Sequence, residues 1–274
     1  MTLAYRAIQL GIVLCCFAAA TVRAQTPGEL VDPVLGQPGK DVVWVPTQMS
    51  TVEKMLDMAK VTPQDFVMDL GSGDGRSVIA AARRGARALG VEYDPNLVEL
   101  SKHAAAAAGV ADKATFVQGD MYEADISKAT VFALYLLPEI MRKLSPKFLA
   151  LKPGTRIVSN TFPIEGWRPE ETDKGPGECT SWCTVLLYLV PANVSGIWRL
   201  AQGELALMQN AQSVTGAINS AGANVTLTNG RVRGDQILFT AGGADYTGRV
   251  NGDTMMGEMK GAAGGTWTAT RIRP

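Results

Sequence analysis

Between residues 66 and 161, short apolar runs alternate with stretches in which apolar residues recur every three to four positions. The short runs have the length of buried strands, and the periodic stretches have the pattern of amphipathic helices. Strands are predicted over 66–70, 88–92, 115–118, 130–137 and 155–161. Helices are predicted over 76–84, with Gly85 as the stop, from Asp94-Pro95 to Gly109, and over 139–151. Upstream, Ser50 and Glu53 have capping-box spacing, and Val52, Met55, Leu56 and Ala59 share one face of a further helix that Pro63 closes. Parallel strands need crossover connections, so strands separated by helices predict a doubly wound, mostly parallel α/β sheet covered on both faces. This domain is expected over 42–191, ending after the apolar run 184–190.

Past Pro191 the pattern changes. Candidate strands begin near Ser195, Glu204, Ser213, Ala223, Arg231, Tyr246, Thr254 and Gly265, with turns such as Asn229-Gly230 between them. The spacing predicts a small antiparallel meander or barrel over 195–274, lipocalin-like or avidin-like in architecture, which by itself carries no function. Pairing Gly196-Ile197-Trp198 with Trp267-Thr268-Ala269 would join the first strand to the last and hide the edges, with the two tryptophans as plugs.

At the other end, residues 10–20 form an apolar run of signal-peptide length, followed by Val22-Arg23-Ala24 with small residues at the two positions a signal peptidase reads. Export with cleavage after Ala24 is expected, placing the chain in the periplasm or outside the cell. The alternatives are an uncleaved anchor or, without export, a cytoplasmic protein. No later segment reaches the roughly 18 apolar residues of a membrane span. Residues 25–41, rich in Pro and Gly, read as an extended arm. Cleavage removes Cys15 and Cys16 and leaves Cys179 and Cys183, either a small disulfide loop or two free thiols.

Composition adds exclusions. Of 274 residues, 46% are hydrophobic and 19% charged, which argues for a packed core rather than disorder. The 26 basic and 26 acidic side chains balance, so no global charge favours nucleic acid. With His103 as the one histidine, a His-rich zinc site or a histidine triad is not expected.

The chemistry concentrates in Asp69-Leu70-Gly71-Ser72-Gly73-Asp74-Gly75-Arg76, between a predicted strand and a predicted helix. It is not a P-loop, because no Gly-Lys-Ser/Thr follows. It fits the dinucleotide pattern poorly, because the third glycine comes one position early and Arg76 takes the place of a small residue. Asp69 at the strand end can take the α-ammonium of an amino-acid-like ligand, where a pyrophosphate would be repelled. Glu92 ends the second strand, where a carboxylate can accept both hydroxyls of a ribose. Asp120 follows the third strand, placed for an exocyclic amine, with Tyr93 and Met121 available to pack on a purine. An ammonium, a ribose diol and an adenine describe S-adenosylmethionine.

Over residues 42–191 the chain resembles a class I, seven-strand, Rossmann-like methyltransferase. The residues that carry the resemblance are Pro46-Thr47 with the helix after it, 67–76, Gly90-Val91-Glu92 and Gly119-Asp120. Within that class it is similar to the small lysine methyltransferases of the mitochondrial ATP-synthase c-subunit and adenine-nucleotide-translocase type, and more distantly to the non-SET histone lysine methyltransferases. The resemblance implies S-adenosylmethionine as cofactor, held by Thr47, Asp69, Gly71, Ser72, Gly73, Gly75, Glu92, Tyr93, Asp120 and Met121, with Gln48 closing beside Thr47 over the methionine end. It implies methyl transfer to a protein lysine. Leu136-Leu137-Pro138-Glu139-Ile140-Met141 lies where those enzymes carry their acceptor-side segment, although it departs from their pattern at several positions. Tyr135 and Pro138 are the catalytic-side candidates. Tyr135 alone would also read as a core residue. The Asp-Pro-Pro-Tyr type of signature is absent at Ala133-Leu134-Tyr135-Leu136. The alternative is an exported, noncatalytic binding protein that keeps the nucleoside pocket.

Overall fold

The computed structural model describes residues 32–175, 181–220, 222–261 and 264–273. The expected signal peptide over 1–24, the start of the arm, Cys15, Cys16 and Cys179 lie outside these residues.

The α/β part contains α1 (Met49–Met58), β1 (Phe66–Leu70), α2 (Arg76–Arg83), β2 (Arg87–Glu92), α3 (Pro95–Ala107), β3 (Ala114–Gln118), β4 (Val131–Leu134), α4 (Pro138–Leu149) and β5 (Arg156–Asn160). Two further strands follow, β6 (Glu171–Asp173) and β7 (Val185–Leu189). They form one seven-stranded sheet in the order β3-β2-β1-β4-β5-β7-β6. The first five strands are parallel, whereas β7 runs antiparallel to β5 and to β6. Alternation along each strand feeds two cores. Val67, Val131, Ala133 and Val158 pack with residues of α1, α2 and α3, while Met68, Leu70, Phe132, Leu134 and Ile157 pack with α4. The chain leaves β1 toward β2 and β3, then returns to the other side of β1 for β4 and β5. This reversal opens a crevice at the carboxyl ends of β1 and β4, the place where open α/β sheets bind ligands.

Two local expectations change. Gln48, not Ser50, is the N-cap of α1, because the Thr51 and Val52 N–H groups close the first turn on the Gln48 carbonyl, leaving Ser50 inside the helix. The strand predicted over 130–137 ends at Leu134, where its pairing with β5 stops opposite Ser159, and Pro138 starts α4.

The C-terminal part holds β8 (Gly196–Leu200), β9 (Gly203–Asn210), β10 (Ser213–Ser220), β11 (Ala223–Thr226), β12 (Thr228–Arg233), β13 (Gln236–Ala241), β14 (Ala244–Asn251), β15 (Thr254–Lys260) and β16 (Gly265–Ile272). Eight of them close into an antiparallel barrel through β9–β10 and β10–β12, with β11 as an extra ribbon on β10. The first strand does pair with the last, but Trp198 faces Arg271 rather than the Trp267 segment. Among the described residues the interior is filled. Trp198 is fully buried and donates its indole N–H to the Val194 carbonyl at 2.8 Å, and Phe239, Tyr246 and Trp267 pack at 4.7–5.9 Å between ring centres. Gly248 makes room for this cluster, because a Cβ there would meet the Trp267 ring at 2.6 Å. The lipocalin-like architecture therefore comes with a packed core rather than a ligand cup.

The barrel is tied to the segment after β5. The Glu170 carboxylate, 9% exposed, takes Arg231 at 2.6 Å and Arg233 at 2.9 Å, and Gln212 donates to the Arg168 carbonyl at 2.7 Å. Glu170→Ala leaves two partly exposed guanidinium groups without their partner, so a loss of about 1–2 kcal/mol is expected. A urea unfolding midpoint lower than that of the parent protein checks this, with Glu170→Gln falling between them. Cys183 is disulfide-bonded. Among the described residues no helix is long and apolar enough to cross a membrane.

Candidate active site

The glycine loop leaves β1 at Gly71 and enters α2 after Gly75. Gly71, Gly73 and Gly75 all adopt positive φ, at 72°, 56° and 78°. Two of them are also crowded. A Cβ on Gly73 would lie 2.8 Å from the Trp44 indole nitrogen, and one on Gly75 would lie 2.6 Å from the Phe116 ring. Gly75→Ala adds left-handed strain of about 1–3 kcal/mol to that clash. A markedly lower melting temperature and a weakened ligand affinity are the expected result, read by thermal unfolding with and without ligand. Ser101 Oγ of α3 donates to the Gly73 carbonyl at 3.0 Å, so the loop is held from behind.

The three carboxylates stand at successive strand ends. Asp69 is 6% exposed, and its environment pushes its carboxyl pKa well above the ordinary value, through burial first and then through the nearby charges of Glu92 and Asp74. The Ser77 hydroxyl donates to it and partly opposes that rise. Among the described residues Asp69 has no ion-pair partner. Glu92 is fixed by three backbone donors: Gly73 N–H to Oε2 at 2.8 Å, and Tyr93 and Asp94 N–H to Oε1 at 2.8 and 3.0 Å. A carboxylate has about four lone-pair positions. Among the described residues the open one is on Oε2, the position left for a ribose hydroxyl. Asp120 accepts Tyr122 N–H at 2.8 Å on Oδ1 and holds Lys40 Nζ at 2.5 Å on Oδ2. The Lys40 bond is the largest influence holding the Asp120 carboxyl below its usual pKa.

Lys40 belongs to the arm, to which the sequence pattern assigns no role in the site. Residues 36–44 form a small hairpin in which Gly36 N–H donates to the Trp44 carbonyl and Trp44 N–H to the Gln37 carbonyl, both at 2.9 Å. The hairpin lies over the crevice, with Lys40 Nζ 4.9 Å from the centre of the Tyr93 ring. Arg76 clamps its base, donating to the Thr47 carbonyl at 2.7 Å while gripping Asp74. A cavity of about 130 Å³ remains between arm, loop and strand ends. Asp69, Ser72, Glu92, Asp120, Met121 and Tyr135 are among the residues that line it.

Other predicted residues fall as follows. Thr47 is buried beside the cavity, and Gln48 caps α1 next to it. Tyr93 is half exposed, and Met121 packs near Gly71. Tyr135 lines the cavity and stacks on Phe162 at 5.9 Å with the rings 7° from parallel; burial raises its phenol pKa. Pro138 is exposed at the first position of α4, outside the cavity lining, where its fixed φ starts the helix. Arg76 and Phe116 support the site, although the sequence pattern does not mark either of them for it.

The residues present fit S-adenosylmethionine. Ser72 Oγ is buried beside the cavity with no hydrogen-bond partner among the described residues, and Asp69 is a buried carboxylate beside further acids. A ligand that brings a hydroxyl and an ammonium completes both.

Comparison with known proteins agrees. Residues 69–171 match the ANTKMT methyltransferase domain. A protein-lysine N-methyltransferase of Saccharolobus islandicus (strain REY15A) is 43% identical over 136 residues, 48% of this chain and 84% of that protein. The adenine nucleotide translocase lysine N-methyltransferase of Mus musculus is 33% identical over 168 residues, 56% of this chain and 73% of that protein. The mouse lysine N-methyltransferase of the ATP-synthase c-subunit is 36% identical over 140 residues, 51% of this chain and 56% of that protein. Among solved structures, an RNA methyltransferase from Salinibacter ruber in complex with S-adenosyl-L-homocysteine is 47% identical, with a TM-score of 0.51. That match covers 55% of this chain and 96% of the other.

Proposed function

The chain belongs to the family of S-adenosylmethionine-dependent methyltransferases that includes the protein-lysine N-methyltransferases, and from that premise we propose that it methylates the ε-amine of a protein lysine. The observation that carries this reading is the 43% identity to an archaeal protein-lysine methyltransferase over 84% of that protein's length.

In this assignment Asp69 takes the ammonium, Ser72 and Glu92 the ribose, and Asp120 the exocyclic amine once Lys40 yields it. Tyr93 and Met121 pack on the purine, the backbone of Gly71, Gly73 and Gly75 lets the ligand approach closely, and Thr47 and Gln48 close over the methionine end. Bound there, the cofactor supplies an electrophilic methyl carbon. What the protein must add is alignment and a dry approach for a neutral amine, rather than a nucleophile of its own. Tyr135, kept as the neutral phenol by burial, can accept an N–H of that amine and so direct its lone pair at the methyl.

RNA is the second acceptor class, favoured by the name of the Salinibacter relative. One experiment separates the two. The protein is incubated with tritiated S-adenosylmethionine and either an RNA-free protein extract or total RNA. Label recovered as methyl-lysine after acid hydrolysis is the expected result, and label in RNA alone, or none in either fraction, would contradict it.

Export is also proposed, on the leader-like run 10–20 and supported by the disulfide at Cys183. Sequencing of the protein from fractionated cells should find Gln25 as the first residue outside the cytoplasm, whereas an intact Met1 in the cytoplasm would overturn the reading.

A further inference from the structure

Along the carboxyl edge of the sheet the proposed anchors run in strand order, with Asp120 after β3, Glu92 at the end of β2 and Asp69 in β1. In S-adenosylmethionine the sulfonium methyl is between ribose and ammonium, so with these anchors it would be held between Glu92 and Asp69. The ground next to them on the far side of β1 is the ends of β4 and β5. Two aromatic rings stand there, Tyr135 one residue past β4 and Phe162 two residues past β5, stacked nearly parallel. Neither ring belongs to the three hydrophobic cores, and both remain partly exposed.

The turn that presents Phe162 is under strain. Thr161 has φ +65°, a left-handed conformation that a β-branched residue rarely adopts and that costs about 1–3 kcal/mol. It is held by hydrogen bonds on every side. Thr161 N–H donates to the Thr184 carbonyl at 2.6 Å, Phe162 N–H to the Asn160 carbonyl at 2.7 Å, and the buried Ser159 hydroxyl to the Phe162 carbonyl at 2.7 Å. The Thr161 hydroxyl reaches Asn160 Oδ1 at 3.0 Å. The same turn carries the chain on to Ile164, buried in the core on the α4 face, whereas the ring delivered at Phe162 is outside the cores. What it achieves is a second aromatic face beside the cavity-lining Tyr135.

We propose that Phe162 is a specificity-determining residue for the acceptor: stacked on the cavity-lining Tyr135, it extends an aromatic wall beside the cavity, against which the apolar stem of the lysine lies as it reaches the methyl. The inference rests on the lysine reading above. The outward side of this stacked pair suits four methylene groups and retains the methylated side chain by cation–π attraction. A further transfer follows once that ammonium has lost a proton to water and S-adenosylhomocysteine has been replaced by S-adenosylmethionine.

The test uses the full chain and the RNA-free protein extract as acceptor, comparing the parent protein with Phe162→Ala and Phe162→Tyr. For Phe162→Ala the extract concentration giving half-maximal transfer should rise about tenfold, and mass spectrometry should find fewer trimethylated than monomethylated lysines. Affinity for S-adenosylhomocysteine should stay within about twofold, and Phe162→Tyr should restore the parent pattern. Unchanged transfer by Phe162→Ala, or a parallel loss of S-adenosylhomocysteine affinity, would overturn the proposal. If the parent protein itself puts no label on lysine, the acceptor reading fails first and this proposal falls with it, whereas lysine labelling that ignores Phe162 refutes this proposal alone.

Discussion

Asp69→Asn should weaken S-adenosylmethionine binding by about one to two orders of magnitude while leaving the fold as stable as before, or more so. The binding loss follows from removing one buried, charge-assisted contact to the ligand's ammonium, worth about 1.5–3 kcal/mol. The stability effect has the opposite sign. Burial, followed by the Glu92 and Asp74 charges, raises the Asp69 pKa in the folded state above its unfolded value. The folded protein therefore holds a proton more tightly than the unfolded chain does. The stability this provides is complete below the unfolded pKa and is lost as pH rises through the folded pKa. Asparagine does not ionise, so the variant's advantage should grow with pH across that interval and then level off. The ligand's ammonium favours the ionised carboxylate, so parental affinity should rise with pH across the same interval, with proton release on binding. Calorimetry in buffers of different ionisation enthalpy measures that release, and the asparagine variant should lose it. A variant that binds as well as the parent protein, or that unfolds more easily at neutral pH, would remove Asp69 from the ammonium site.

Removing the carboxylate of Glu92 should have an effect of similar size through a different part of the ligand. Glu92→Ala takes away the contact at the open Oε2 position and also frees the Gly73, Tyr93 and Asp94 N–H groups that now fix the loop. A loss of at least tenfold, approaching a hundredfold, is expected for S-adenosylhomocysteine. Glu92→Gln, which keeps an acceptor oxygen, should lose less. 5′-Methylthioadenosine, which has the nucleoside but no ammonium, separates the two sites. Its affinity should fall in Glu92→Ala and stay nearly unchanged in Asp69→Asn. Equal losses in both variants would mean that the carboxylates support the loop rather than read separate groups.

The parallel half of the sheet was legible in the sequence because strands buried on both faces must be apolar throughout and the helices between them keep their period. Asp69, Glu92 and Asp120 were legible for the same reason, since each ends or follows such a strand. The three-residue β6 carries no pattern, and the direction of β7 depends on the fold around it. The barrel strands were visible, but not the closure through β10 and β12, which rests on pairing between strands that are not consecutive. The arm shows the limit most clearly. Its hairpin has no periodicity, yet it brings Lys40 to Asp120 and Trp44 to Gly73. The apolar run around Trp44 was its one available signal. Phe162 was hidden in another way, because its left-handed turn is made at Thr161, without a glycine to announce it.

The most direct test of the S-adenosylmethionine site is calorimetric titration of the intact chain with S-adenosylmethionine and S-adenosylhomocysteine near neutral pH. The pocket predicts micromolar binding of both, one molecule per chain, with affinity lowered in Asp69→Asn. Absence of binding for both ligands would contradict it.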